Sequence, residues 1–193
     1  NTALFLILGG EEVFKYFNNT IPKYYFTWCS IEHISVPQSV KKIGGNAFYM
    51  SDIEAVDLGA VQEISRCAFC GCKKLQTINI PSTVTHIKSS AFSDCFNLET
   101  VNFHEGLKHI SSLAFRDTSV GCAKKPIIIP ESVEEIADCS FVTEKFFKQE
   151  VYLPHHSVDL GDKPFNKGSK IHCIPDVKLR ELAEEDNYKL IPY

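Results

Sequence analysis

The chain has 193 residues, a formal net charge of −4 and 44% hydrophobic residues, which is an ordinary composition for a globular protein with a sizeable core. It contains no basic block, so its charge argues against nucleic acid and against an anionic membrane surface as partners. No apolar run approaches the ~20 residues of a membrane-spanning helix, which argues against direct membrane insertion.

The first 30 residues show no repeat and are predicted to form an N-terminal cap. Residues 11–18 place Val13, Phe14 and Phe17 at helical spacing, which predicts a short amphipathic helix. An aromatic cluster follows, made of Tyr24, Tyr25, Phe26 and Trp28. Two other interpretations of this region stay open, namely an aromatic ligand-binding patch and the edge of a larger upstream domain.

From residue 31 to residue 175 a pattern recurs about every 23 residues. Its phenylalanine anchors are separated by 21, 23, 23, 26 and 24 residues. These anchors are Phe48, Phe69, Phe92, Phe115, Phe141 and Phe165. Short segments of alternating apolar and variable residues predict strands at 34–36, 56–58, 78–80, 101–103, 127–129, 151–153 and 171–173. A second apolar pair follows the turn after most of these segments, for example Val84 and Ile87.

The period predicts a stacked architecture, because one repeat cannot bury both faces of its own strand. Equivalent strands are then parallel and about 4.8 Å apart, and equivalent apolar side chains form ladders. The pairs expected to stack include Ile78 on Val101, Phe92 on Phe115, and Val84 on Leu107. The extra residues of the fourth interval, around 119–125, are expected to bulge outward.

Residues 176–193 are predicted to form a C-terminal cap. The segment VKLRELAEEDN places Leu179, Leu182 and Ala183 on one helical face, and Asp176 is suited to be its N-cap. A capping helix is expected because an open solenoid end leaves an apolar layer and a strand edge exposed.

The segments "IGGNAF", "ISRCAFCGCKKLQTINIPSTVTHIKSSAFSDCFNLETVNF" and "IIIPESVEEIADCSF" closely resemble the BspA-like (treponemal-type) leucine-rich repeat family. The resemblance covers roughly residues 31–175. It implies an α/β-type solenoid, a right-handed array of about six repeats, mostly β and loop, with a parallel sheet along one side. The fifth and sixth copies depart from the pattern, since Phe141 follows Ser, Phe165 follows Pro, and neither is followed by the family's Cys.

The resemblance also implies a function class. The family is typical of bacterial surface and secreted proteins and is implicated in adhesion, so we expect a non-enzymatic recognition module that binds a protein or glycan through its sheet face. No catalytic residue, metal or cofactor comes with the resemblance. A passive structural spacer is the alternative. A β-helix carbohydrate-active enzyme is disfavoured, because Asp57 has Ser35 and Asn79 beside it rather than a second carboxylate.

The resemblance implies a protein that is located at the cell surface or secreted. The N-terminus does not report it, because residues 3–8 are apolar but lack the basic leader and cleavage site of an intact signal peptide. The start at Asn1 rather than Met suggests a processed or excised chain.

Eight cysteines are present, at positions 29, 67, 70, 72, 95, 122, 139 and 173. Cys67 and Cys70 form a CxxC motif, which is typical of metal or redox sites. However, Cys72 and Cys95 hold the same repeat position, and Cys67 matches Cys139, so we interpret these residues as structural thiols packed between layers. Some disulfides remain an alternative.

His86 and His109 are also one repeat apart and are expected to stack. The simplest interpretation is a surface pair, and a pH-sensitive or metal-binding ladder is the alternative.

The candidate binding face is the outward column of the predicted strands. Its candidate residues are Asp57, Asn79, Asn102, Ile128, Tyr152 and His172. The early positions are small and polar, and Asn79 over Asn102 predicts a structural hydrogen-bonded ladder. The later positions bring Ile128, Tyr152 and His172 outward together, which is typical of a binding patch. The alternative is that the capping segment or a neighbouring loop covers them.

Overall fold

The computed structural model describes residues 18–122, 125–145 and 147–193. Over these residues the chain is a parallel β-solenoid, as predicted, in which most turns contribute two short strands. In chain order the strands are β1 (Thr20–Ile21), β2 (His33–Ser35), β3 (Lys42–Ile43), β4 (Ala55–Asp57), β5 (Glu63–Ile64), β6 (Thr77–Asn79), β7 (His86–Ile87), β8 (Thr100–Asn102), β9 (His109–Ile110), β10 (Ile127–Ile128), β11 (Glu135–Ile136), β12 (Glu150–Tyr152), β13 (Asp159–Leu160), β14 (Lys170–Cys173) and β15 (Lys189–Pro192). A single helix, α1 (Val177–Asp186), lies between β14 and β15 in the described part of the chain. The helix predicted over residues 11–18 lies outside the described residues, apart from its last position.

One side of the solenoid is an unbroken sheet of seven parallel strands in the order β1-β3-β5-β7-β9-β11-β13. Each strand has only two residues, of which the second is a buried Ile or Leu. For β3 to β11 the sequence marks the buried position as part of the second apolar pair, but no strand is predicted at any of the seven positions, because two residues carry too little alternation to be recognised. We call this sheet the spine.

The other side holds the predicted strands, and they are not one continuous sheet. They form three separate sheets, β2-β4, β6-β8 and β10-β12-β14-β15. The gap between β8 and β10 coincides with Pro126, which has no N–H to donate to the preceding turn and lies within the longest interval of the repeat. We call the last of the three the C-terminal sheet.

A phenylalanine ladder runs through the core, as predicted. Successive ring centroids are 5.0, 5.0, 5.3, 5.2, 5.1 and 5.7 Å apart, with planes within 20° of parallel. The ladder consists of Phe26, Phe48, Phe69, Phe92, Phe115, Phe141 and Phe165. Phe26 is therefore the first rung of the ladder, although its sequence context places it in the aromatic cluster of the cap.

The residue two positions before a ladder phenylalanine adopts a left-handed backbone. In five successive turns its φ lies between 53° and 63°. These residues are Asn46, Cys67, Ser90, Leu113 and Cys139. The match between Cys67 and Cys139 therefore reflects a shared turn position, and both thiols are only partly buried rather than packed between layers.

The C-terminal cap is the predicted helix followed by a strand. The Asp176 carboxylate accepts a hydrogen bond of 2.8 Å from the Leu179 amide, which confirms the predicted N-cap. Leu179 and Leu182 are buried against the last turn. After α1 the chain returns as β15, which pairs in parallel with β14 and was not predicted.

Candidate binding face

The C-terminal sheet aligns the later candidate residues in one outward column. Alternation along the strands buries Ile127, Val151 and Ile171, so the residues that follow them point outward. The pairing register then places Ile128 beside Tyr152, Tyr152 beside His172, and His172 beside Ile191. We call Ile128, Tyr152, His172 and Ile191 the apolar column.

Ile128 is the most exposed residue of this column, and the other three are half-buried. Ile128 is 64% exposed, whereas the His172 side chain is only 18% exposed. The rings of Tyr152 and His172 are stacked, with centroids 4.0 Å apart and planes 8° from parallel. Ile128, Tyr152 and His172 therefore lie together, as predicted. Part of the shielding of His172 from solvent comes from β15, because Ile191 lies next to His172.

The other three candidate residues lie elsewhere and have structural contacts. Asp57 belongs to the β2-β4 sheet, and its carboxylate accepts a hydrogen bond of 3.0 Å from the Gly59 amide. In the β6-β8 sheet, the Asn102 side-chain amide donates to the Asn79 side-chain oxygen at 2.6 Å. The predicted asparagine ladder is therefore present.

Ile191 extends the apolar column and was missed in the sequence. The sequence of residues 176–193 predicts a helical cap, whereas the last residues return to the sheet as β15. The sequence signal for β15 is the short run Leu190-Ile191-Pro192, which resembles the ends of earlier strands such as Ile80-Pro81.

The two cysteines at the repeated position are held by the backbone of the preceding turn. The Cys72 thiol lies 3.1 Å from the Phe48 carbonyl oxygen, and the Cys95 thiol lies 3.1 Å from that of Phe69. Both are fully buried, as the structural interpretation predicts. Burial raises the pKa of Cys70 to about 12, so this member of the CxxC motif is a neutral thiol near pH 7.

All eight cysteines lie in the described residues, where they are free thiols. The described part of the chain contains no cluster of three or more His, Cys, Asp or Glu residues placed to hold a metal ion. Within the same residues, no helix is long and apolar enough to cross a bilayer.

The two predicted stacking histidines lie on the spine rather than at the candidate face. His86 and His109 have ring centroids 4.5 Å apart, and Nδ1 of His109 is 3.0 Å from a carboxylate oxygen of Glu135. The pKa of His86 is lowered, first by partial burial and then by the positive charge of Lys88 and by His109.

Lys88→Gln is expected to raise the pKa of His86 towards its ordinary value. The ammonium group of Lys88 disfavours the imidazolium form, so its removal makes protonation easier. The pKa is measured by NMR titration of the imidazole resonances. Lys41→Gln, which removes a charge away from the pair, serves as the control. A His86 pKa that stays constant or falls in Lys88→Gln contradicts this interpretation.

Comparison with known proteins reveals a repeat family. A family model described as the BspA type leucine rich repeat region matches residues 19–148 in six copies. No curated protein sequence matches the chain.

Three solved structures resemble the fold. A leucine-rich repeat protein from Bacteroides ovatus is 23% identical with a TM-score of 0.65, and the match covers 88% of this chain and 45% of that protein. The pneumococcal vaccine antigen PcpA is 14% identical with a TM-score of 0.44, covering 86% and 80% of the two chains. A leucine rich cell surface protein from Faecalibacterium prausnitzii is 18% identical with a TM-score of 0.39, covering 81% and 64%. The chain thus spans less than half of the Bacteroides ovatus protein.

Proposed function

Because the chain belongs to the BspA-type leucine-rich repeat family, we propose that it is a non-enzymatic recognition module of a bacterial surface or secreted protein. In this proposal a protein or glycan ligand contacts the apolar column of the C-terminal sheet. The surface or secreted location follows the usual setting of the family.

The observation that carries the proposal is the exposure of Ile128 beside the stacked rings of Tyr152 and His172. A large aliphatic side chain that is mostly exposed gains free energy when a partner removes it from water. Tyrosine is enriched among the residues that dominate binding energy. The three side chains stand on paired strands, so little conformational entropy is lost when a ligand binds them.

The number of carboxylates at the described outward positions of this face supports a binding role rather than glycoside hydrolysis. Glu150 is the one carboxylate at the described outward positions of the C-terminal sheet, and its side chain lies 3.0 Å from Nε2 of His172. Hydrolysis of a glycosidic bond in most families uses two carboxyl groups that flank the bond.

Replacing Ile128 and Tyr152 together with Ser is expected to weaken ligand binding about tenfold or more. The measurement is binding of the purified chain to an immobilised panel of extracellular-matrix proteins and glycans, followed by affinity determination for each positive. Circular dichroism and thermal unfolding check that the variant is folded.

The matched control replaces Asn79 and Asn102 with Ser, at the corresponding outward positions of the β6-β8 sheet. This control is expected to keep its affinity. Unchanged binding by a folded Ile128→Ser/Tyr152→Ser variant rejects the proposed face. A wild-type chain that bound no member of the panel would favour the spacer function instead.

A further inference from the structure

A basic cleft borders the C-terminal sheet at the N-terminal ends of its strands. Its volume is about 640 Å³, within the usual range for ligand sites. Among the residues that the structure describes, four lysines and one carboxylate line it. The charged lining residues are Lys125, Lys148, Lys170, Lys189 and Glu150. In a chain with a net charge of −4, this cleft therefore concentrates positive charge.

Within the described part of the chain, three of the four ammonium groups form no ion pair, although Glu150 is the cross-strand partner of Lys170. Lys125 forms an ion pair of 3.1 Å with Glu99. Glu150, the carboxylate of the cleft, contacts His172. Among the described residues, no carboxylate oxygen lies within 4.0 Å of the ammonium group of Lys148, Lys170 or Lys189.

The backbone holds these lysines close to one another. Lys170 and Lys189 are direct partners on adjacent parallel strands, which are about 4.8 Å apart. Like charges placed opposite each other on a sheet are unfavourable unless an anion lies between them. Gly168 adjoins the cleft with φ +76°, and a Cβ there would lie 3.2 Å from Cε of Lys148, so the glycine leaves room for the lysine stem.

The lining selects among anionic ligands. Lysine provides compact single charges rather than the planar fork of arginine, and no arginine is among the described residues that line the cleft. The lining therefore suits separate anionic groups spaced along a polymer better than bidentate recognition of one planar group. Among the described lining residues the one aromatic ring, that of Tyr188, is buried, and its hydroxyl donates to the Phe165 carbonyl oxygen. These residues therefore offer neither a stacking platform for bases nor an apolar pocket for a peptide side chain.

We infer that this cleft binds the carboxylate or sulfate groups of an acidic polysaccharide. The inference rests on the proposed function and names its ligand class. The cleft is continuous with the apolar column, because Glu150 and Tyr152 share β12, and Lys170 and His172 share β14. A chain of sugars whose charged groups enter the cleft therefore extends over the apolar column.

The test uses three dextrans of equal length that differ only in charge, namely neutral dextran, carboxymethyl-dextran and dextran sulfate. Titration calorimetry of the folded chain at low and at physiological salt gives the affinities. At least one charged dextran is expected to bind ten times more tightly than neutral dextran, with a loss of affinity as salt rises. The preferred charged polymer distinguishes carboxylate from sulfate recognition.

Replacing Lys148, Lys170 and Lys189 together with Gln is expected to lower the affinity for the preferred dextran about tenfold. The same three positions replaced with Arg keep the charge and are expected to retain most of the binding.

The control variant lowers the net charge equally, with Lys41, Lys73 and Lys108 replaced by Gln. It is expected to bind the charged dextran like the wild-type chain.

Several results would overturn the inference. They are equal binding of neutral dextran, failure of all three dextrans to bind, and unchanged affinity in the folded triple Gln variant. Polyglutamate that competes as well as the preferred dextran would overturn the saccharide assignment. Ile128→Ser/Tyr152→Ser, measured on the same polymer, separates the two proposals. If it binds normally while the triple Gln variant does not, the cleft is supported and the apolar column is not.

Discussion

Phe92→Ala is expected to lower the free energy of unfolding by about 3–5 kcal/mol. The Phe92 ring is fully buried, and its centroid lies 5.3 Å from that of Phe69 and 5.2 Å from that of Phe115. Removing it costs the burial of the ring, leaves a cavity in a close-packed layer and ends two aromatic contacts. Urea unfolding followed by circular dichroism measures the loss.

Phe96→Ala provides a control within the same turn. Phe96 is 38% exposed, and the Lys73 ammonium lies 5.8 Å from its ring centroid. We expect a clearly smaller loss, of about 1 kcal/mol, because less buried area is removed than at Phe92 and only one weak cation–π contact is lost. Equal losses in the two variants would mean that the ladder does not dominate the stability of this turn.

Gln149→Leu is expected to lower the free energy of unfolding by about 3 kcal/mol or more. The Gln149 side-chain amide donates to the Val120 and Phe141 carbonyl oxygens at 3.1 and 2.9 Å, and its oxygen accepts from the Asn166 amide at 2.9 Å. A leucine leaves these three backbone groups without their partner in a buried site, at about 1–3 kcal/mol each. Thermal unfolding and hydrogen exchange of the Asn166 amide measure the effect.

The matched control is Gln76→Leu. Gln76 precedes β6 as Gln149 precedes β12, but its side chain is exposed. A change within about 0.5 kcal/mol is expected there. If both substitutions had the same small effect, the hydrogen bonds of Gln149 would not be essential for holding the fifth and sixth repeats together.

The core could be predicted from the sequence because stacking demands one residue type at one spacing. Phe92 and Phe115 must face each other once the period is known, and the Asp176 cap follows from local hydrogen bonding alone. The spine was missed for a physical reason. Its two-residue strands, such as His86–Ile87, are formed by pairing with neighbouring turns, and so short a segment has no pattern of its own.

The candidate face was only partly predictable. Alternation along each strand brings out Ile128 and Tyr152, but the cover of His172 depends on β15. Gln149 gives no sequence signal, because the preceding repeat positions hold the exposed residues Gln76 and Glu99. Its inward orientation accompanies the exposed Lys148. Lys148 lies three residues before the buried strand residue Val151, at a position where the first four repeats have a buried Ile or Leu.

The spacing of three of the cleft lysines is visible in the sequence. Lys125, Lys148 and Lys170 are separated by 23 and 22 residues, close to the repeat period. That spacing predicts neighbouring turns but not a cleft. The lining also includes Asn187, Tyr188 and Lys189, which the return of the chain in β15 brings beside β14, and this pairing is a tertiary feature.

The two sides of the solenoid differ in bending stiffness. The spine is hydrogen-bonded without interruption from β1 to β13, whereas the opposite side has gaps after β4 and after β8. Deformation of the solenoid is therefore concentrated at two joints on that side. The apolar column and the basic cleft both lie beyond the second joint, on four continuously paired strands. When the rest of the array bends, this surface moves as one rigid body. The distances between the apolar column and the lysines of the cleft are then preserved.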